Sequence, residues 1–179
     1  NIDFDHMAKL GFTLSEIAYH KAGIIKSNIP VVTAERKSEA LDVIRHEASI
    51  KQANIFCAGD DFEFNIIALK PEGSTVDVTT PFGNIKGIEI NHPGAFQPEN
   101  AAIAITAVQV ASAKSQLIIP EQTIRKALGS LKIPGRMEVV QNNPIIILDG
   151  AHNPQKMEAL SRSLTEAFNQ IPYTLVIGM

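Results

Sequence analysis

The residues best suited to chemistry lie in segment 149–154, Asp-Gly-Ala-His-Asn-Pro, which follows the apolar run Ile145–Leu148. That run predicts a buried strand, and ligands of open α/β sheets bind beyond the carboxyl ends of strands. Asp149 could accept from a ribose hydroxyl or hold a metal-bound water. His152 and the N–H groups of a following helix could meet phosphate or carboxylate. Asp-Gly is also a common turn and Asn-Pro an ordinary helix start, so the pattern alone leaves a nucleotide site and a structural turn equally open.

Two residues near the start of the chain could take part in metal chemistry. His6 could ligate a divalent metal, with Asp5 fixing its tautomer, although a lone histidine is more often structural or exposed. Lys21 falls in the last turn of a predicted helix that ends at Gly23, where a lysine interacts favourably with the helix dipole. The alternative for Lys21 is reaction with carbon dioxide, which gives a carbamate, an anionic oxygen ligand suited to magnesium.

Two further residues could contact a nucleotide. Arg136 follows Pro134-Gly135 at a predicted domain boundary, where it could clamp phosphate or stack on a base, or else form an interdomain salt bridge. Asn100 opens an Ala-rich helix, where it could serve as a cap or read adenine with its amide.

The elements that position these residues alternate between helix and strand. Helices are predicted at 13–24, 38–52, 100–114, 120–128 and 153–169, and strands at 30–33, 137–140, 145–148 and 174–177. From 53 to 90 the hydrophobic period changes to two, which predicts a small antiparallel addition. The fold class is therefore α/β, with a parallel sheet, and residues 129–136 separate a first domain, 1–133, from the start of a second, 134–179.

Composition limits the function classes. The 179 residues carry a net charge of −3 and are 45% hydrophobic and 20% charged, which is a globular balance with no general attraction for nucleic acid or anionic membrane. The single Cys57 excludes an internal disulfide and fits a reducing compartment. The printed sequence contains no G-x-x-x-x-G-K-[ST] loop, G-x-G-x-x-G motif, zinc spacing or G-x-S-x-G elbow. His46 and His92 are expected at the surface, and Glu99 and Glu138 have no evident role.

Five segments occur in a recognisable order: Asp-Phe-Asp-His at 3–6, Ile-Ala-Tyr-His-Lys-Ala-Gly-Ile-Ile-Lys at 17–26, Gln-Pro-Glu-Asn-Ala-Ala at 97–102, Pro-Gly-Arg-Met-Glu at 134–138 and Leu-Asp-Gly-Ala-His-Asn-Pro at 148–154. Together they resemble the folylpolyglutamate synthase/dihydrofolate synthase family, which belongs with the Mur ligases. The resemblance covers essentially the whole chain. The loop at 149–154 is its most specific part, because the Mur enzymes have different residues there.

The resemblance implies an ATP-dependent ligase of folate biosynthesis that joins L-glutamate to dihydropteroate or a folate through an acyl phosphate. It implies that His6 ligates magnesium and that Lys21, as a carbamate, holds a second magnesium and supports catalysis. Asn100 and Arg136 would bind ATP, Asp149 would contact the nucleotide, and His152 would act near the incoming glutamate and the phosphates. Small-molecule substrates, a monomer, a cytoplasmic location and no nucleic-acid or membrane partner follow from the same resemblance.

The implied architecture is the later part of a Mur-type central ATPase domain, residues 1–133, joined to the start of a Rossmann-like C-terminal domain, residues 134–179. The family's phosphate loop would lie upstream of residue 1, so the 179 residues alone are expected to lack ATPase and ligase activity.

Two residues depart from the family pattern: His20, where glutamate is usual, and Phe96, where histidine is frequent. The alternatives are a non-catalytic fragment and a Mur-type ligase of cell-wall synthesis, against which the 149–154 loop argues.

Overall fold

The computed structural model describes residue 2, residues 10–168 and residues 171–178. The described helices are α1 Leu14–Ala22, α2 Ser38–Ile50, α3 Gln97–Ser115, α4 Glu121–Gly129 and α5 Pro154–Ala167. The described strands are β1 Val31–Thr33, β2 Ile55–Cys57, β3 Glu63–Lys70, β4 Gly73–Thr80, β5 Gly83–Ile90, β6 Glu138–Asn142 and β7 Ile145–Leu148. These elements confirm the predicted α/β class with its antiparallel addition. None of the described helices is long and apolar enough to cross a membrane.

The first unit places two helices beside a parallel pair of strands. β1 pairs with β2 in parallel, with Val31 opposite Ile55, as the alternation of helix and strand predicts. The connection between these strands contains α2, and α1 packs against it around Ile17, Ala40 and Ile44. The apolar stripes of both helices therefore form a small core of their own.

Helix α1 begins and ends where its sequence predicts. The Thr13 hydroxyl accepts from the Glu16 backbone N–H at 3.2 Å, and the Glu16 carboxylate accepts from the Thr13 N–H at 3.1 Å, which completes a capping box. Gly23 is the C-cap. At α2, Ser38 is already helical, and Lys37 occupies the N-cap without a side-chain cap bond.

Glu35 satisfies the start of α2 in place of a capping serine. Its carboxylate accepts from the N–H groups of Arg36 and Lys37 at 3.0 and 2.9 Å, and also from the N–H of Ile2. Glu35 is only 3% exposed. Because a buried carboxylate is costly unless it is hydrogen-bonded, these backbone donors explain how it is accommodated there. Glu35 thereby ties Ile2 to the segment that follows β1.

The antiparallel addition forms a three-stranded sheet in the order β3-β4-β5. Phe64 lies opposite Val78, and Val76 lies opposite Ile88, so the alternating apolar residues share one face. That face packs against α3 in a core that includes Ala102. α4 packs against β5.

Helix α3 begins at Gln97, three residues before its predicted start. Pro98 falls in the first turn, where its missing N–H costs nothing. Asn100 is consequently the fourth helical residue and not the cap, and it is exposed. The buried residues of this helix, such as Ala102 and Ile105, form a stripe facing the sheet.

Beyond α4, β6 and β7 form an antiparallel pair, with Glu138 opposite Leu148. β7 is confirmed as a strand, but its predicted burial is wrong: Ile145, Ile146 and Leu148 are 41–51% exposed. Residues 174–177 were predicted as a strand, and they have no strand partner among the residues that the structure describes. An extended segment gains little stability without a neighbouring strand, so the apolar pattern alone does not form one.

Candidate nucleotide site

A tight turn precedes β6 and carries Arg136. Gly135 has φ +66° and Met137 has φ +47°, so two of three consecutive residues adopt left-handed backbone conformations. The Gly135 N–H donates to the Glu138 carboxylate at 2.8 Å. Glu138, for which the sequence suggested no role, therefore holds this turn closed.

Asp149 joins this turn to the loop that follows β7. One carboxylate oxygen accepts from the Met137 N–H at 2.8 Å, and the other accepts from the Ala151 N–H at 2.7 Å. The Gly150 N–H donates to the Gly135 carbonyl at 2.8 Å, which ties the same two segments a second time. A carboxylate offers about four acceptor positions, so the half-buried Asp149 keeps capacity for a ligand hydroxyl.

Arg136 is held through its backbone, while its side chain is available. Its carbonyl accepts a hydrogen bond from His92 Nε2 at 2.6 Å. In the part of the chain that the structure describes, the half-buried guanidinium has no hydrogen bond or ion pair. The interdomain salt bridge considered for Arg136 is thus absent among these residues. His92 is only 5% exposed, so its predicted surface position is wrong, whereas His46 is exposed as predicted.

His152 lies just before α5 and is exposed. Its Nδ1 is 2.8 Å from the Gly150 carbonyl oxygen, and its Nε2 is 2.9 Å from Lys156 Nζ. Asn153 is the N-cap of α5, because its side-chain oxygen accepts from the Lys156 N–H at 2.9 Å. The start of α5 presents backbone N–H groups and a lysine beside the imidazole, an environment that favours anions.

The loop between β5 and α3 brings the start of α3 to this region. The Ala95 N–H donates to the buried Ser163 hydroxyl of α5 at 2.9 Å, and Phe96 packs against the apolar cluster of Met137, Ala167 and Phe168. Phe96, at the position where the resembled family frequently has histidine, therefore contributes an apolar contact between the start of α3 and the β6–α5 region.

Asn100 lies one helical turn after this contact. Its amide nitrogen is 3.5 Å from Gln97 Oε1, at the long limit of a hydrogen bond. Gln97 is 2% exposed, and its own Nε2 lacks a partner among the described residues. The Asn100 amide therefore faces solvent at the start of α3 and can contact a ligand.

The predicted metal residues are not assembled into a site by the described residues. His6 lies outside them. Lys21 is exposed in the last turn of α1, and its side-chain ammonium has no hydrogen bond or ion pair with any residue that the structure describes. Over the same residues, no group of three or more His, Cys, Asp or Glu side chains is arranged to hold a metal. Of the predicted site residues, the structure thus joins Arg136, Asp149 and His152.

Three polar residues of this region were missed by the sequence reasoning. Glu138 follows Gly135 by three residues, the spacing at which a carboxylate reaches back to a backbone N–H. Lys156 follows His152 by four residues, the spacing of neighbours on a helix surface. For His92 no local signal exists, because its partner carbonyl is 44 residues away in sequence.

Comparisons with known proteins find similar sequences over almost the whole chain. The model of the Mur ligase, glutamate ligase domain family matches residues 135–179. A dihydrofolate synthase/folylpolyglutamate synthase of Bacillus subtilis (strain 168) is 39% identical over 169 residues, which cover 94% of this chain and 39% of that relative. A folylpolyglutamate synthase (FPGS) of Lacticaseibacillus casei is 33% identical over 178 residues, covering 99% of this chain and 41% of the relative.

Solved structures give the same result. An FPGS–AMPPCP–folate complex matches with a TM-score of 0.87 and 32% identity, over 92% of this chain and 40% of that chain. A folylpolyglutamate synthase from Thermotoga maritima matches with a TM-score of 0.80 and 35% identity, over 89% and 37% respectively. The chain therefore spans about two fifths of the length of these relatives. By sequence and by fold, this chain belongs to the folylpolyglutamate synthase family of the Mur ligases.

Proposed function

We propose that the protein containing this chain is an ATP-dependent ligase that joins L-glutamate to dihydropteroate or to a folate. The observation that carries the proposal is the half-buried, unpaired Arg136 guanidinium in a turn that Asp149 binds directly, within the described residues. An arginine whose guanidinium has no partner among the described residues is suited to phosphate, because its fork of donors matches phosphate oxygens. Relatives solved with AMPPCP, an ATP analogue, and with folate support the same ligands.

Four residues of the candidate site have distinct roles in the proposed reaction. Arg136 neutralises negative charge on the nucleotide phosphates, and the Asn100 amide contacts the adenine, which presents both a donor and an acceptor. Asp149 accepts from a ribose hydroxyl while it keeps the two turns together. His152, at the start of α5, meets the glutamate or the phosphates.

The proposed reaction has two steps. In both, Arg136 and the start of α5 face the negative charge of the phosphate groups. The substrate carboxylate takes the γ-phosphoryl group of ATP, which releases ADP and forms an acyl phosphate. The glutamate amine then attacks the acyl carbon, forms the amide, loses a proton and expels phosphate. Most of the barrier is lowered by positioning and by charge neutralisation, which are the contributions that arginine and helix N–H groups can make.

Magnesium and the domain boundary are further parts of the proposal. His6 and a carbamate on Lys21 would each supply a ligand to Mg²⁺, which neutralises phosphate charge when bound. We place the boundary between the ATPase part and the glutamate-ligase part at residues 133 and 134, where the Pro134-Gly135 turn begins.

A Mur-type ligase of cell-wall synthesis is the second candidate activity. The family match to residues 135–179 is to a glutamate ligase domain shared with the Mur enzymes, so the match alone does not distinguish the two. The identity of the relatives over residues 1–133 as well favours the folate substrates.

The test is glutamate-dependent release of ADP by the complete gene product. It is assayed with dihydropteroate, with reduced folate and with a muramyl precursor, each in the presence and absence of glutamate. The proposal predicts ADP release and a glutamylated product with one or both pterin substrates. Turnover with the muramyl precursor alone would overturn it. The 179 residues alone serve as a second sample and are expected to be inactive.

A further inference from the structure

A lysine on α5 contacts the imidazole of the proposed site. Lys156 Nζ lies 2.9 Å from His152 Nε2, and the opposite ring nitrogen, Nδ1, lies 2.8 Å from the Gly150 carbonyl oxygen. Both ring nitrogens of His152 are therefore at hydrogen-bond distance from a group whose role is fixed by its chemistry.

These two partners determine which nitrogen carries the proton. A carbonyl oxygen only accepts, so Nδ1 must be the protonated nitrogen that donates to Gly150. A lysine ammonium only donates, so Nε2 must present its lone pair to Lys156. The contacts are mutually consistent only for the neutral imidazole with its hydrogen on Nδ1.

The position of Lys156 is itself well defined. Its backbone N–H donates to the Asn153 side chain in the capped first turn of α5, and its side chain is half-buried. His152 is one helical turn earlier and outside the helix, so the lysine stem spans from the helix surface to the ring. The N-cap thus fixes the place from which the ammonium reaches the imidazole.

We propose that Lys156 is a positioning residue that holds His152 as the Nδ1–H tautomer, with Nε2 as an acceptor. The inference rests on the proposed function only for its consequence in the reaction. When Lys156 Nζ turns from the ring to the carboxylate of the incoming glutamate, the single Nε2 lone pair is released to accept from the glutamate ammonium. Lys156 and His152 together then offer one donor and one acceptor to an α-amino acid.

The tautomer is measured directly by long-range ¹H–¹⁵N NMR on the complete gene product with ¹⁵N-labelled histidine, at a pH where imidazole is neutral. The His152 signals are assigned by comparison with His152→Gln. The wild-type protein is expected to show a protonated-type shift at Nδ1 and an unprotonated-type shift at Nε2. Lys156→Met keeps the apolar stem and is expected to move the ring toward the Nε2–H form, while Lys156→Arg, which retains a charged donor, restores the Nδ1–H form.

Arg162→Met is the matched control, because Arg162 is an exposed cation on the same helix. It should leave both nitrogen shifts unchanged. An Nε2–H form in the wild type, or identical shifts in the wild type and Lys156→Met, would overturn the proposal. These outcomes do not depend on catalysis, so they are distinguishable from a failure of the proposed ligase activity.

Steady-state kinetics then test the consequence. Lys156→Met is expected to raise the KM for glutamate several-fold, with a smaller change in the KM for ATP, and Lys156→Arg should recover part of the loss. If Lys156→Met instead lowers kcat several-fold and leaves the KM for glutamate unchanged, the assignment of Lys156 and His152 to the amino-acid substrate is overturned.

Discussion

Replacement of Asp149 by asparagine tests whether one carboxylate holds together the two turns of the candidate site. In the wild type, both carboxylate oxygens accept from backbone N–H groups, those of Met137 and Ala151, at 2.8 and 2.7 Å. An asparagine has only one oxygen, so Asp149→Asn leaves one of these N–H groups facing an NH₂ group that cannot accept. The Met137 side chain is completely buried and its φ is +47°, so its conformation depends on such contacts.

The magnitude follows from the type and burial of the bonds. A hydrogen bond to a charged group contributes about 1.5–3 kcal/mol, and the half-burial of Asp149 places its bonds in the lower part of that range. We therefore expect Asp149→Asn to lower the free energy of local opening by about 2 kcal/mol. Because every 1.4 kcal/mol corresponds to a factor of ten, the Met137 amide should exchange its hydrogen roughly 30-fold faster.

The assay is native-state hydrogen exchange of the complete gene product, followed at the Met137 and Ala151 amides. Glu158→Gln is the control, because it makes the same chemical change at an exposed position on α5 and should alter neither amide. If Met137 keeps wild-type protection in Asp149→Asn, Asp149 does not hold the turn, and the reasoning is refuted.

Three further predictions concern other parts of the chain. Gly135→Ala should lower the free energy of unfolding by about 1–2 kcal/mol in denaturant titrations, because φ is +66° at this residue. An added Cβ would meet no atom within 4 Å, so the loss would come from the backbone conformation alone. An unchanged free energy of unfolding would contradict this. The hydrogen bond from the backbone N–H of Phe12 is the main cause that lowers the pKa of Glu16. The Glu16 carboxylate therefore stabilises α1 fully above the ordinary glutamate pKa of 4.5, and this stabilisation is lost as the pH falls through the lowered pKa. A difference in the free energy of unfolding between the wild type and Glu16→Gln that persists in acid would contradict this prediction. Burial raises the pKa of the Cys57 thiol, and mass spectrometry should therefore find little alkylation of the folded protein at neutral pH, whereas rapid labelling before unfolding would be inconsistent with that burial.

Local sequence patterns were sufficient to predict most of the helices and strands. The start of α1 at Thr13 and the period-two pattern of β3–β5 are contained in short stretches of sequence, and both are confirmed. The N-cap of α2 was not predictable in this way, because Glu35 supplies the acceptor from outside the helix. Local patterns therefore predict helices and strands well. The hydrogen bonds at the ends of a helix, however, can be supplied by residues outside the helix that its own pattern does not indicate.

The candidate site shows a similar division. The strand–turn–helix pattern around Asp149 and His152 indicated where a ligand could bind, and β7 and α5 lie where that pattern placed them. The burial of His92 and its bond to the Arg136 carbonyl could not be predicted, because the two residues are 44 positions apart. The use of Phe96 as an apolar contact was missed for the same reason, since its partners are Met137 and residues of α5 and its C-cap.

The most direct test of the central claim is the affinity of the complete gene product for ATP, measured by calorimetry in Arg136→Met and Lys132→Met. Lys132 is an exposed cation four residues before Arg136, so it reports the effect of removing one positive charge from the same connection. A phosphate-binding arginine predicts a loss of about tenfold or more in Arg136→Met, since a charged hydrogen bond contributes about 1.5–3 kcal/mol, and little change in Lys132→Met. Equal ATP affinity in the wild type and Arg136→Met would contradict the assignment of this turn to the nucleotide.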